Sequence, residues 1–130
     1  MHDESMGGVN GTEIDIYESP FYNERKIQHT LNWDGYGAAH KYEGSIVDAD
    51  VYDGKYHTFG LLWTEDEYVY YIDGIETWRT DAQKAMGTCE TPLYMKITAE
   101  MGSWTPDDIN PANFPDHIKV DYVKTYKEVK

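Results

Sequence analysis

The sequence holds one cysteine, Cys89, in 130 residues. A single thiol cannot close an intramolecular disulfide, and without companion cysteines it cannot found a zinc site, so it reads as a structural or incidental thiol. Basic residues are also scarce: 11 Lys and Arg stand against 24 Asp and Glu, a formal net charge of -13. Such a balance repels phosphate backbones and anionic bilayers, which argues against nucleic acid and membrane as partners. No apolar run approaches the roughly 18 residues of a membrane span, and no basic stretch leads into an apolar one as in a signal peptide. Helical patterning is nearly missing: "DAQKAMGTCETP" alone reads as a turn or two of helix. Internal repeats and low-complexity segments are absent.

What is abundant is aromatic: 12 Tyr, 4 Trp and 3 Phe, in a chain whose 40% hydrophobic content fits one domain, 1–130, with a modest core. Aromatic residues favour strands, and their faces also stack on sugar rings. Strand patterns run the length of the chain. In "KIQHTLNW", Ile27, His29, Leu31 and Trp33 take one face, while the uncharged, hydrogen-bonding Gln28, Thr30 and Asn32 take the other. His29, on the apolar face, reads as a core histidine rather than a ligand or base. "WDGYGAAHKYEGS" reads as a glycine-rich loop and "SIVDADVYDGKY" as a short strand running into a turn. Three strands follow in "YHTFGLLWTEDEYVYYIDGIETWRT", turning at "TEDE" and at the hairpin pair Asp73-Gly74. "LYMKITAEMGSW" alternates again, a proline-rich loop follows, and "HIKVDYVKTYK" closes the chain as a last strand. About eight strands with short turns and almost no helix predict an antiparallel β-sandwich or jelly roll, with a polar concave face opposite the packed one.

One strand raises a question of parity. In "GTEIDIYE", Glu13 and Asp15 share a face, and Ile14 and Ile16 share the other. Glu18 falls on the isoleucine side of a regular strand, where a lone carboxylate costs several kcal/mol. Either the strand ends before Glu18, with "SP" turning the chain, or a β-bulge adds one residue and returns Glu18 to the face of the other two acids. Three clustered carboxylates suit glycosidic cleavage, in which one attacks the anomeric carbon and another, about 5 to 5.5 Å away, protonates the leaving oxygen. A straight strand would hold the Cα atoms of Glu13 and Glu18 about 16 Å apart, so that chemistry needs the bulge, sheet curvature and long side chains. An intervening Asp would help push the pKa values of the group apart. Calcium is the competing chemical reading of an oxygen-rich cluster, although the stretch lacks the glycine and length of an EF-hand loop.

"GTEIDIYE" closely resembles the E-x-D-x-x-E signature of glycoside hydrolase family 16, the laminarinases, lichenases, agarases and carrageenases, which share a concanavalin-like jelly roll. "YHTFGLLWTEDEYVYYIDG" and "VDYVKTYK" resemble later segments of the family in the right order, so the similarity covers nearly the whole chain. It implies Glu13 as nucleophile, Asp15 as assisting acid and Glu18 as general acid/base, in the bulged, laminarinase-like branch. It also implies cleft-lining roles for Gln28, Thr30 and Asn32, where the family often has a histidine at the position of Asn32. Thr98 and Glu100 match the cleft face of a later strand, and Trp104 is a candidate stacking platform whose alternative is packing beneath the proline-rich loop. Asp121 resembles a contributor to a structural calcium site; no other cofactor is implied. Family domains are usually nearly twice as long with the catalytic strand near the middle, so the chain resembles the C-terminal half of one, an incomplete sandwich whose strand edges invite self-association.

These residues lead to an expectation of a retaining endo-glycosidase acting on β-glucan, with β-1,3 or mixed β-1,3-1,4 linkages, secreted as the resemblance suggests. Sulfated agar or carrageenan fits a chain at -13 poorly. The alternatives are a lectin-like carbohydrate-binding module that keeps the polar floor without catalysis, and an inert fragment. The "NGT" sequon at Asn10 is discounted, because a glycan there would crowd the cleft.

Overall fold

A computed structural model describes residues 11–19, 25–84, 87–99, 110–115 and 117–129. The chain divides into two compact units, Met1–Ile97 and Thr98–Lys130. All six strands found among the described residues belong to the first: β1 (Thr12–Glu18), β2 (Lys26–Trp33), β3 (Lys41–Asp48), β4 (Phe59–Trp63), β5 (Tyr68–Ile72) and β6 (Ile75–Thr80). They pair antiparallel into two three-stranded sheets, β1-β2-β3 and β4-β5-β6.

The sandwich expected from alternation is present. Ile14, Leu31 and Trp33 of the first sheet are buried against Tyr68 and Tyr70 of the second, with Ala82 beside them and Leu61, Trp63, Trp78 and Leu93 at the margin. Tyr70 stacks on Trp78 with ring centroids 4.9 Å apart, an arrangement worth about 0.5–1.5 kcal/mol beyond the area it buries. The turn chemistry matches as well. Asp73 and Gly74 both take positive φ (51° and 78°), as a two-residue turn between twisted strands requires, and they close β5 onto β6 at the pair Ile72 and Ile75. Thr64–Glu67 connects β4 to β5, and the Thr64 amide donates to the Glu67 carbonyl at 3.0 Å.

Three expectations differ. β3 begins at Lys41, so the loop read through "HKYEGS" ends sooner, because Lys41–Gly44 finds partners along the whole of β2. The described residues of "DAQKAMGTCETP" form turns and bends instead of a helix: buried Ala82 sits at φ 56°, in the left-handed region that a right-handed helix cannot continue from. The alternating segments after Leu93 form no ladder among the described residues. Tyr94 makes an isolated bridge, and 117–129 is exposed and without strand. Alternation prepares a strand, but hydrogen bonding to a neighbour makes one. In the second unit a 3-10 turn, Pro111–Asn113, is capped by the Asn110 side chain, which accepts from the Ala112 amide.

His29 is fully buried and joins the two sheets. Its Nδ1–H donates to the Ile16 carbonyl at 2.7 Å, and Nε2 lies 2.9 Å from Thr77 Oγ1 on β6. A carbonyl can only accept, so Nδ1 carries the proton. Burial lowers the His29 pKa and favours the neutral ring; the Thr77 hydroxyl beside Nε2 also faces the Tyr70 carbonyl at 3.2 Å, so its one hydrogen is shared between two acceptors. The Tyr70 ring packs on the imidazole at 4.7 Å. A second crossing runs from the Ala82 amide to Thr80 Oγ1 (2.9 Å) and from the Thr80 hydroxyl to Glu43 Oε1 (2.6 Å) on β3.

Replacing His29 with Leu keeps the volume but leaves the Ile16 carbonyl without its imidazole donor, and is expected to cost about 2–4 kcal/mol in denaturant unfolding. The pH dependence has a definite sign. A histidine whose folded pKa is depressed below 6.5 contributes stability that is present above about pH 6.5 and lost as pH falls through the folded value. Because Asp15 titrates in the same window with the opposite sign, the His29 contribution is read as a difference: the stability gap between wild type and His29→Leu should narrow as pH falls from 8 to 5.

Candidate active site

The register of β1 against β2 contains the extra residue that the parity of Glu18 requires. Asp15 pairs with Thr30 and Glu18 with Gln28, so Ile16 and Tyr17 together oppose the single His29. The bulge returns Glu18 to the face of Glu13 and Asp15. Across three strands, directly opposed residues then form three rows on that face: Glu13, Asn32 and Tyr42; Asp15, Thr30 and Gly44; Glu18, Gln28 and Ile46. Tyr17, carried outward at the bulge, packs on Phe59 of β4 with centroids 4.4 Å apart.

A continuous hydrogen-bonded chain links the carboxylates. Asn32 Nδ2 donates to Glu13 Oε1 (3.4 Å) and Asp15 Oδ2 (3.1 Å). Thr30 Oγ1 lies 2.5 Å from Asp15 Oδ2 and 2.9 Å from Glu18 Oε2. The Thr30 hydroxyl has one hydrogen and two carboxyl neighbours. It can donate to only one, so the other bond forms when that neighbour is protonated and donates to Oγ1. The two contacts together therefore describe a group that holds a proton.

The electrostatics agree. Desolvation by burial, followed by the charges of Glu18 and Glu13, raises the Asp15 pKa from 3.8 to about 7 against the lowering effect of the Thr30 hydrogen bond. Glu18 is also raised, by burial first and then by Glu13, again opposed by Thr30. Both acids thus resist ionisation for the same two reasons, low dielectric and like charge.

Of the residues singled out in the sequence, Glu13, Asp15, Glu18, Gln28, Thr30 and Asn32 are brought onto this one surface. Gln28 Nε2 reaches Tyr42 Oη at 3.3 Å. Thr98 and Asp121 belong to the second unit and are exposed; Glu100 and Trp104 lie outside the described residues. Among the described residues no group of three or more His, Cys, Asp or Glu is disposed to hold a metal ion.

Three side chains at the site were not singled out from the sequence. Tyr36 donates its hydroxyl to Glu13 Oε1, His40 Nε2 lies 2.9 Å from Asn32 Oδ1, and Tyr42 lies on the carboxylate face. Tyr36 and His40 come from the loop after β2, which Asp34 and Gly35 turn back through positive φ (62° and 66°). Two positive-φ-tolerant residues directly after a cleft strand, followed by Tyr and His, were the available signal. Tyr42 folds over Gly44: a Cβ there would stand 2.5 Å from Tyr42 Oη and 2.8 Å from the His29 carbonyl oxygen, so a side chain at 44 would push the tyrosine off the floor.

A carboxyl with a raised folded pKa contributes stability that is fully present below its unfolded value and lost as pH rises through the folded one. Asp15 should therefore destabilise the chain progressively between about pH 4 and pH 7, with an upper bound of about 4 kcal/mol. Asp15→Asn is expected to remove that slope and unfold at higher denaturant than wild type at pH 8, and carboxyl-carbon NMR should find Asp15 titrating near pH 7.

Comparison with known proteins bears on what such a surface is. The profile of the family described as Glycosyl hydrolases family 16 matches residues 3–124. The chain is 28% identical over 114 residues to the endo-1,3-1,4-beta-glycanase ExsH of Rhizobium meliloti (strain 1021) and 34% identical over 114 residues to EglC, an endo-1,3-1,4-beta-glycanase of the same strain. Each match covers 88% of this chain and 23% of the relative. It is also 23% identical to the glucan endo-1,3-beta-glucosidase A1 of Niallia circulans, across 89% of this chain and 19% of that protein. The chain thus spans about a quarter of the length of the first two relatives. No solved structure matches it significantly. With the family profile extending over nearly all of its residues, and the three carboxylates of the motif carried on one bulged strand, the chain belongs to glycosyl hydrolase family 16.

Proposed function

We propose that this chain is the catalytic portion of a retaining endo-glycosidase that hydrolyses β-glucan, with β-1,3 or mixed β-1,3-1,4 linkages. The observation that carries this reading is the bulge between Asp15 and Glu18, which puts three carboxyl groups on one face joined through Thr30 and Asn32. Glu13 attacks the anomeric carbon; the bond to the leaving oxygen breaks, and that oxygen takes the proton of Glu18. A glycosyl ester on Glu13 results. Water then attacks the same carbon, its proton passes to Glu18, and the ester bond breaks to return the electron pair to Glu13.

The proton belongs to the Asp15–Glu18 pair bridged by Thr30; the order Glu18 to Thr30 to Asp15, in which Asp15 Oδ2 accepts from both Thr30 and Asn32, is the one that supports Glu18 as the acid. Like charge supports the change of role. Glu13 raises the Glu18 pKa while ionised, and esterification removes that charge, so Glu18 becomes a readier proton donor's conjugate base just when water needs one. The names of the relatives, two endo-1,3-1,4-beta-glycanases and one endo-1,3-beta-glucosidase, support the substrate class. A polymeric substrate does not enter a cell intact, so the reading implies action outside it.

Release of reducing ends from laminarin and mixed-linkage β-glucan tests the proposal. Glu13→Gln and Glu18→Gln are each expected to lower turnover of laminarin at least about 1,000-fold while leaving the melting transition in place. Turnover undiminished in either variant would remove that residue from its role. Saturable laminarin-oligosaccharide binding with no release from the wild-type chain would instead make this a carbohydrate-binding module. Among the described residues β1, β3, β4 and β6 each pair on one side only, and we extend the proposal to self-association through such edges. Sedimentation should show a concentration-dependent dimer at micromolar chain; a strict monomer would count against the pairing.

A further inference from the structure

The loop between β2 and β3 does more than connect them. Asp34 and Gly35 reverse the chain at positive φ, the His40 amide bonds back to the Gly37 carbonyl at 3.1 Å, and Lys41 Nζ meets buried Asp34 at 2.7 Å. This closed loop presents two rings side by side, Tyr36 and His40, with centroids 5.2 Å apart. Each reaches the carboxylate group by a different route. Tyr36 donates directly to Glu13 Oε1. His40 acts through Asn32: the Asn32 amide nitrogen faces two carboxylates, so its oxygen faces His40 and accepts from Nε2–H.

We infer that Tyr36 and His40 are positioning residues for the Glu13 carboxylate: Tyr36 holds Oε1 by direct donation, and His40 locks the Asn32 amide in the orientation that donates to the same oxygen. The inference rests on Glu13 being the nucleophile. Its chemical consequence differs between the two half-reactions. In the first, a donor on Oε1 stabilises the attacking carboxylate and gives no advantage to attack. In the second, the carbon–oxygen bond of the glycosyl ester breaks and negative charge returns to the Glu13 carboxyl, where a poised O–H donor stabilises the departing carboxylate. Tyr36 therefore assists breakdown of the intermediate more than its formation. Its exposure, 61% of the residue, leaves an aromatic face open while the hydroxyl is engaged. Burial of that hydroxyl and its bond to the Glu13 charge also push the ionisation of Tyr36 well above the ordinary tyrosine range.

The experiment is single-turnover and steady-state hydrolysis of an aryl β-laminaribioside with a nitrophenol leaving group, comparing wild type, Tyr36→Phe, His40→Ala and His40→Gln. Tyr36→Phe is expected to lower kcat about 10- to 100-fold with a parallel fall in KM, to show a burst of nitrophenol, and to carry a glycosyl adduct by intact mass. His40→Ala should lower kcat several-fold, and His40→Gln, whose amide N–H can donate to Asn32, should recover it. A Tyr36→Phe chain with unchanged kcat, or with kcat and kcat/KM lowered equally and no adduct, would overturn the inference, as would a Gln no better than Ala at position 40. Should the wild-type chain show no turnover, the glycosidase reading fails, and ring-carbon NMR of labelled tyrosine then decides the contact on its own. Tyr36 titrating above the exposed tyrosines, and returning toward them in Glu13→Gln, would uphold the bond; Tyr36 titrating with the exposed tyrosines would overturn it.

Discussion

The bond from His29 Nδ1 to the Ile16 carbonyl, 2.7 Å long and buried, is the interaction on which the site's geometry rests. A bulge removes backbone groups from the regular ladder, and a carbonyl left in the interior without a donor costs about 1–3 kcal/mol. The imidazole supplies that donor from the strand directly opposite, while its other nitrogen is engaged by Thr77 of the second sheet. The irregularity that turns Glu18 outward is thus secured from the core side of the same two strands. Packing and the placement of the carboxylates are two faces of one local structure.

On the other face the organising constraint is charge. Three acids share a surface next to Thr30 and Asn32, which are 1% and 8% exposed. Such crowding is tolerable because protons and amide donors are distributed among the acids rather than assigned one to each. Asn32 uses both of its hydrogens and Thr30 its only one, so each neutral side chain mediates between two carboxyl groups. The loop after β2 adds donors at the Glu13 end, opposite the end where Thr30 meets Glu18.

Much of this was legible in the sequence, for identifiable reasons. Strict alternation in β2 separated the core face, Ile27 to Trp33, from the polar floor, and the hairpin at Asp73-Gly74 follows from conformations those residues tolerate. The parity of Glu18 posed a bulge as one of two answers, and the ladder contains it. Tyr36 and His40 escaped notice because their roles depend on the path of an irregular loop, which carries no periodicity to read. The alternation after Leu93 was real but insufficient: a strand is a property of two chains of backbone, and pattern describes only one. The left-handed turn at Ala82 was hidden for the opposite reason, since alanine gives no local hint of positive φ.

The two faces of the β1–β2 pair also prefer opposite protonation. Burial holds His29 toward its neutral form, so acid is unfavourable to the core. Asp15 and Glu18 are raised, so alkali empties the proton that the carboxyl group holds. On the proposed reading, alkali thus acts at the site directly, on the coupled acids as a unit, whereas acid reaches the site from beneath, by weakening the buried support of the bulge.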